Sequence, residues 1–392
     1  MRNAVIVDAV RSPIAKGKAG GALAGLHPVD LLAQVLRQVV DRNGIDPGCV
    51  DDVVTGCVSQ VGEQSATPGR MAWLAAGLPE HVPATTIDRK CGSSQQAVTY
   101  AAYGVMAGQQ DVVIACGVES MSRVVMGSAR MGADPYGAGV TERYAPGLVS
   151  QGLAAELVAD RWSLTRSELD EYAVRSHRLA GEAAAAGLFD SEIVPITTPA
   201  GEFRADETIR VGSSVEKLAG LAPSFRSPEA ESRFPRLDFK ITAGNSSQIT
   251  DGAAAVLVMS EEAARAHGLR PRARLHAFSQ VADDPMLMLA APIPATRKVL
   301  DRAGMSLADI DLFEVNEAFA PVPLAWAREL KVPEEKVNVR GGAIALGHPL
   351  GASGARLMTT LLATLEERDL TWGLQTMCEA GGMANATIIE RI

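Results

Sequence analysis

The sequence predicts an α/β protein assembled from two similar halves, and three observations lead to it. Short runs rich in valine and isoleucine alternate with segments whose apolar residues recur at helical spacing, as when strands are laid against helices. A group of elements in the first half recurs in the same order about half a chain later. Between them, residues 122–248 change texture to Met, Gly, Pro and charged residues with short helices, which marks an insertion.

The elements follow in order. Val5-Ile6-Val7 is a strand, 31–40 a helix and Val53-Val54 a second strand. After Cys91-Gly92-Ser93-Ser94-Gln95-Gln96, the residues Ala97, Val98, Ala101, Ala102, Val105 and Met106 keep helical spacing until Gly108, and Asp111 to Cys116 returns to strand. In the insertion, 168–180 is helical, while 226–240, with two prolines and seven charges, reads as exposed loop. The repeat then appears. A helix, Gly44-Ile45-Asp46 and the strand before Cys57 are matched by a helix, Gly304-Met305-Ser306 and the strand 312–315 before Asn316; the strand ending at Cys116 is matched by 374–378. The expected division is 1–121 plus 249–269 as an N-terminal half, 122–248 as a lid and 270–392 as a C-terminal half.

Composition narrows the function. With 47% apolar and 21% charged residues in 392, the chain can build a sizeable core. Its first ten residues lack the long apolar stretch of a secretory signal and no long uncharged apolar run follows, so it reads as cytoplasmic with no membrane partner. Its five cysteines lack zinc-like pairing, so neither a disulfide framework nor a metal site is expected. A net charge of -9 argues against nucleic-acid binding and leaves any phosphorylated ligand to local basic residues.

The chemistry concentrates in four small-residue segments. Five glycines in residues 341–354 spoil a regular helix, let the backbone approach a ligand and present His348 ahead of Pro349. Cys91 lies at a helix start, where unpaired N–H groups favour a thiolate and can hold an oxyanion, and Arg89 and Lys90 add positive charge. Taken alone it reads better as a buried packing cysteine at a helix start than as a nucleophile. Cys378 ends a strand before a glycine turn, at the carboxyl edge where α/β sheets place ligands. Asn316-Glu317, directly after a strand, is either an N-cap or part of a site. Cys49, Cys57 and Cys116, and the histidines other than His348, read as packing or surface residues.

Cys91-Gly92-Ser93, Asn316-Glu317-Ala318-Phe319, the 341–354 loop and Cys378 before Gly381-Gly382 resemble, in order and separation, the four signature blocks of the thiolases. The resemblance spans nearly the whole chain and is strongest to degradative 3-ketoacyl-CoA thiolases of the actinobacterial type. It implies a five-layered αβαβα fold with an inserted loop domain, in a homodimer or homotetramer. It implies Cys91 as nucleophile, His348 as its base, Asn316 holding a water with His348, and Cys378 as the acid for the departing enolate, with the backbone N–H groups of Cys91 and Ala380 as oxyanion hole. Coenzyme A is implied as a substrate, with no permanently bound cofactor, contacted by Ala243, Gly244 and Ser247 and by Ala318 and Phe319.

Some positions depart from the family pattern. Glu379-Ala380 stands where glycine is frequent, Ser94 narrows the surroundings of the nucleophile, Ala222 replaces a basic residue, and Ser150-Gln151 stands where short-chain biosynthetic members carry His-Met. The implied reaction is cleavage of a 3-ketoacyl-CoA by CoA in fatty-acid or steroid breakdown. The alternatives are a biosynthetic acetoacetyl-CoA thiolase and a non-catalytic acyl-CoA or sterol-binding relative. A decarboxylating ketoacyl synthase usually has histidine at the second cysteine.

Overall fold

The computed structural model describes residues 2–392. One ten-stranded sheet runs through it, nine strands in a continuous path with the two-residue strand Ala15–Lys16 paired beside it. In the first half, β1 (Ala4–Arg11), β2 (Asp52–Gly56), β3 (Ala84–Ile87), β4 (Val112–Ser120) and β5 (Thr250–Ser260) lie in the order β3-β2-β4-β5-β1. In the second, β6 (Ala273–Ala282), β7 (Leu312–Val315), β8 (Trp372–Glu379) and β9 (Met383–Arg391) lie in the order β7-β8-β9-β6. The repeat extends to pairing direction. β2 and β4 are parallel, β4–β5 and β5–β1 antiparallel; β7 and β8 are parallel, β8–β9 and β9–β6 antiparallel. Only a parallel bridge, Phe313 to Val337, stands where the first half has β3. The halves join through two antiparallel pairs, Val5–Arg274 and Ile6–Ala273.

Helices complete the layers. α1 (Pro28–Asn43) and α2 (Pro68–Ala75) cover the outer face of the first half, their apolar sides packed with Val5, Val53 and Ile114. α1 begins on His27, whose ring accepts from the Val29 N–H, and ends at left-handed Gly44. α3 (Ser93–Met106) lies between the two half-sheets, as does α8 (Ser353–Glu367), which follows α6 (Pro292–Ala303) and α7 (Pro321–Leu330) of the outer face of the second half. α8 is buried on nearly all sides because it has a half-sheet on each face. Its amino end touches that of α3. A Cβ at Gly354 would lie 2.2 Å from the Gln95 nitrogen, and the Ala355 N–H donates to Ser94 Oγ at 2.9 Å. Ser94 therefore ties two helices together.

The lid carries α4 (Gln151–Arg161) and α5 (Arg166–Ala185), with Ser150 capping α4 through a 3.3 Å bond from the Leu153 N–H. The stretch 226–240 is not wholly loop. Residues Pro228–Arg233 form a helix capped by Ser227, Ala230 is buried, and Arg233 donates to the Gly147 carbonyl. Proline there occupies the first helical position, where it costs no hydrogen bond.

Candidate active site

Three of the expected residues sit at strand or helix ends pointing inward, and the fourth is carried by the glycine loop. Cys91 lies two residues before α3. Ser93 Oγ donates to the Lys90 carbonyl at 2.6 Å and accepts from the Arg89 N–H at 2.9 Å, closing a turn in which Lys90 has φ +50°. Cys378 is the penultimate residue of β8 and wholly buried. Asn316 follows β7, its N–H donating to the Thr376 carbonyl of β8 at 3.1 Å, so it belongs to the same sheet edge as Cys378.

His348 is held on every side. Its N–H donates to the Gln248 carbonyl at 3.0 Å, and Gln248 in turn donates to the carbonyls of Ile344 and Ala345. Gly347, at φ +90°, packs where a Cβ would lie 2.3 Å from a Thr250 methyl. Ser353 Oγ lies 2.6 Å from Nδ1 and donates its own proton to the Pro349 carbonyl at 2.9 Å. Nδ1 must then be the protonated nitrogen, leaving the Nε2 lone pair 3.3 Å from Asn316 Nδ2. Asn316 Oδ1 is buried without a protein partner.

The electrostatics differ from expectation. Burial, with Arg356 next, pushes the His348 imidazole down to about 3, so it rests neutral. Burial also pushes the Cys91 thiol up to about 12, with Glu379, Glu119 and Asp88 acting the same way against a backbone N–H. Cys378 is raised well above the usual thiol range by burial, Cys91 and Glu379. A preformed thiolate at the start of α3 is therefore not what the chain holds at rest. Lys90 adds no net charge because it pairs with Asp88 at 2.6 Å. The resting site is two thiols and a neutral imidazole, which exchange protons only when a substrate supplies a place for negative charge.

Two carboxylates hold this arrangement: Glu317, which the sequence offered as an N-cap or a site residue, and Glu119, which it did not single out. Glu317, wholly buried, accepts from Tyr172 Oη (2.9 Å) and Ser176 Oγ (2.7 Å) of α5, Asn338 Nδ2 (3.0 Å) and the Ile344 N–H (3.1 Å). It caps no helix; α7 starts at Ala320 and Pro321. Glu119 accepts from the N–H groups of Val58, Ser59 and Gly351 and from Gln64, while burial pushes its carboxyl up. For Glu119 the available signal was a lone acid in an otherwise apolar strand.

The residues expected to contact CoA also meet. The Ser247 N–H donates to the Ala318 carbonyl at 3.0 Å, the Ala320 N–H to the Asn245 carbonyl at 2.9 Å, and Ser246 bridges Phe319. Ala243 is exposed, whereas Gly244 is closed over by Leu218 and Leu221. Phe319 stacks edge-on against Phe225 at 5.9 Å, and Phe225 lies on Gly152 of α4. Ala380 needs no left-handed backbone, because the turn places that conformation at Gly381 and Gly382. Among the described residues, neither the Cys91 nor the Ala380 N–H donates to a backbone carbonyl. Cys57 and Cys116 are packed in strand surroundings, Cys116 against Thr55 Oγ1.

A duplicated α/β unit whose two halves each deliver a buried cysteine to one edge is the architecture of the thiolases, and the chain belongs to that family. Residues 4–262 match the thiolase N-terminal domain and residues 269–391 the thiolase C-terminal domain. It is 49% identical to the steroid 3-ketoacyl-CoA thiolase FadA6 of Mycobacterium tuberculosis over all of this chain and 95% of that one. It is 42% identical to a 3-ketoacyl-CoA thiolase of Serratia proteamaculans, with both chains fully covered. An acetyl-CoA acetyltransferase of Bacillus anthracis superposes with a TM-score of 0.89 at 40% identity, covering 100% of this chain and 99% of that one.

Proposed function

We propose that the chain cleaves 3-ketoacyl-CoA with CoA to acetyl-CoA and a shortened acyl-CoA, in fatty-acid or steroid breakdown. The observation that carries the reading is the neutral His348, its Nε2 lone pair turned toward Asn316 at the sheet edge that also bears Cys378. Cys91 gives its proton to His348 Nε2 and its sulfur bonds to the C3 ketone carbon, the negative oxygen resting on the N–H groups of Cys91 and Ala380. The C2–C3 bond then breaks, its electron pair moves onto the thioester as an enolate, and Cys378 protonates C2 to release acetyl-CoA. His348, with a water on Asn316, stabilises the enolate oxygen. An incoming CoA gives its thiol proton to the Cys378 thiolate and attacks the acyl carbon. Cys91 leaves and recovers its proton from His348, which restores the resting site.

The loop 243–247 and the pair Ala318 and Phe319 bound the channel for the pantetheine arm, through Ser247 and backbone atoms, with coenzyme A as substrate and no permanent cofactor. The division at 121, 249 and 269 assigns the nucleophile to one half, the acid together with Ala318 and Phe319 to the other, and the loop 243–247 to the lid. A homo-oligomer, dimer or tetramer, is supported by β3, an edge strand unpaired on its outer side, beside exposed Met71, Leu74, Tyr100 and Tyr103. No helix among the described residues is long and apolar enough to cross a membrane, and we place the enzyme in the cytoplasm.

Mass spectrometry after a single turnover tests the mechanism. The acyl group should map to Cys91 and disappear in Cys91→Ala; an adduct on Cys57, Cys116 or Cys378 would refute the assignment. A substrate panel decides direction, since a clear preference for acetoacetyl-CoA would favour the biosynthetic reading.

A further inference from the structure

Glu379 has no role in the steps above, yet it occupies an unusual place. It follows Cys378 on β8, so its side chain leaves the strand on the opposite face. It is wholly buried, and among the described residues neither carboxyl oxygen has a hydrogen-bond partner. A Cβ on Gly92 would lie 2.0 Å from Glu379 Oε1, so the carboxyl is packed on the residue that follows Cys91, where only glycine fits. A buried acid with no donor to hold its charge is costly in the ionised form, and here it lies beside the two thiols that must ionise in turn.

We propose that Glu379 is a positioning residue that gates the nucleophile by charge: protonated, it permits Cys91 to lose its proton; ionised, it holds Cys91 as the thiol. The proposal rests on Cys91 as the nucleophile. Burial pushes the Glu379 carboxyl up to about 8, with Arg89 opposing and Asp88 reinforcing, so the gate changes state near neutral to mildly alkaline pH. The other charges facing the group do not replace it. Asp88 is partly exposed and paired with Lys90, Arg89 is partly exposed, and Glu119 is held by four donors. The Cys378 thiol, on the other face of β8, is shifted in the same direction as Cys91.

The signature is a pH-dependent difference. Glu379→Gln keeps the size and removes the charge. Iodoacetamide alkylation of Cys91, located by mass spectrometry, and kcat/KM for thiolysis are measured on the full-length enzyme from about pH 6 to pH 10. At the acid end the two proteins should react alike. As pH rises the variant should pull ahead, by about tenfold or more near pH 9, and lose the falling alkaline limb of thiolysis. Glu379→Leu, which has neither charge nor hydrogen-bonding atoms, must follow the glutamine variant. Curves offset by one constant factor at every pH, or a leucine variant that follows wild type, overturn the gate while acyl transfer to Cys91 still stands. Wild-type enzyme in which Cys91 takes neither acyl nor alkyl groups overturns the nucleophile assignment and the gate with it.

Discussion

Glu317→Ala is the sharpest test of how the site is held, because one side chain serves four donors from three parts of the chain. Tyr172 and Ser176 come from α5 of the lid, Asn338 from the segment before the glycine loop, and the Ile344 N–H from the loop that leads to His348. Truncation leaves these groups without their acceptor in a space that is closed to water. Asn338 Nδ2 keeps the Val315 carbonyl and Tyr172 Oη as acceptors, so three donors are left without a partner, and at about 1–3 kcal/mol each the loss is about 3 kcal/mol at the low end. For a chain of 392 residues the unfolding entropy is about 0.8 kcal/mol per degree, which converts that loss to a Tm lower by roughly 4 °C. Activity should fall further than stability accounts for, because Asn316 and the His348 loop lose their common anchor. Differential scanning calorimetry and kcat/KM for thiolysis on the same preparations measure both. Glu317→Gln, which keeps one acceptor oxygen, should lie between alanine and wild type. An alanine variant within a degree of wild type in Tm and with undiminished turnover would refute the argument.

Other outcomes follow from the same geometry. Cys378→Ala should abolish carbon–carbon cleavage while Cys91 still accepts an acyl group from a simple acyl-CoA; equal loss of the two half-reactions would contradict the separation of roles. Between about pH 6.5 and pH 3 the unfolded chain protonates the His348 imidazole while the folded chain, with that group held down at about 3, does not. Stability should therefore fall with pH through that window, and His348→Gln should lose less of it in acid melts; a variant as acid-sensitive as wild type would count against the shift. With Ser150 committed to capping α4 and Gln151 beginning it, no bulky His-Met pair crowds the lid, so larger acyl groups should be preferred. At about 0.8 kcal/mol per buried methylene, roughly three extra carbons raise kcat/KM by more than tenfold over acetoacetyl-CoA, as a chain-length series would show.

What the sequence determined by itself is local in origin. The duplicated α/β order is legible because the strand and helix periods of apolar residues are properties of neighbouring positions, and β7, β8 and α6 recur as β2, β4 and α1 had announced. Cys91, Asn316, His348 and Cys378 stand out because each lies beside small residues that a packed core alone does not demand. The tertiary structure decided what depends on residues far apart in the chain. A helix start beside Cys91 promised a thiolate, but burial and the nearby acids outweigh the dipole and leave a thiol. What Glu317 and Glu119 hold is hidden from a linear reading, since their donors come from residues 172 to 344 and 58 to 351. Glu379 and Gly92 are about three quarters of the chain apart, and their contact arises only when β8 folds against the start of α3. Periodicity is written along the backbone; desolvation and charge depend on which distant groups the fold brings into one dry space.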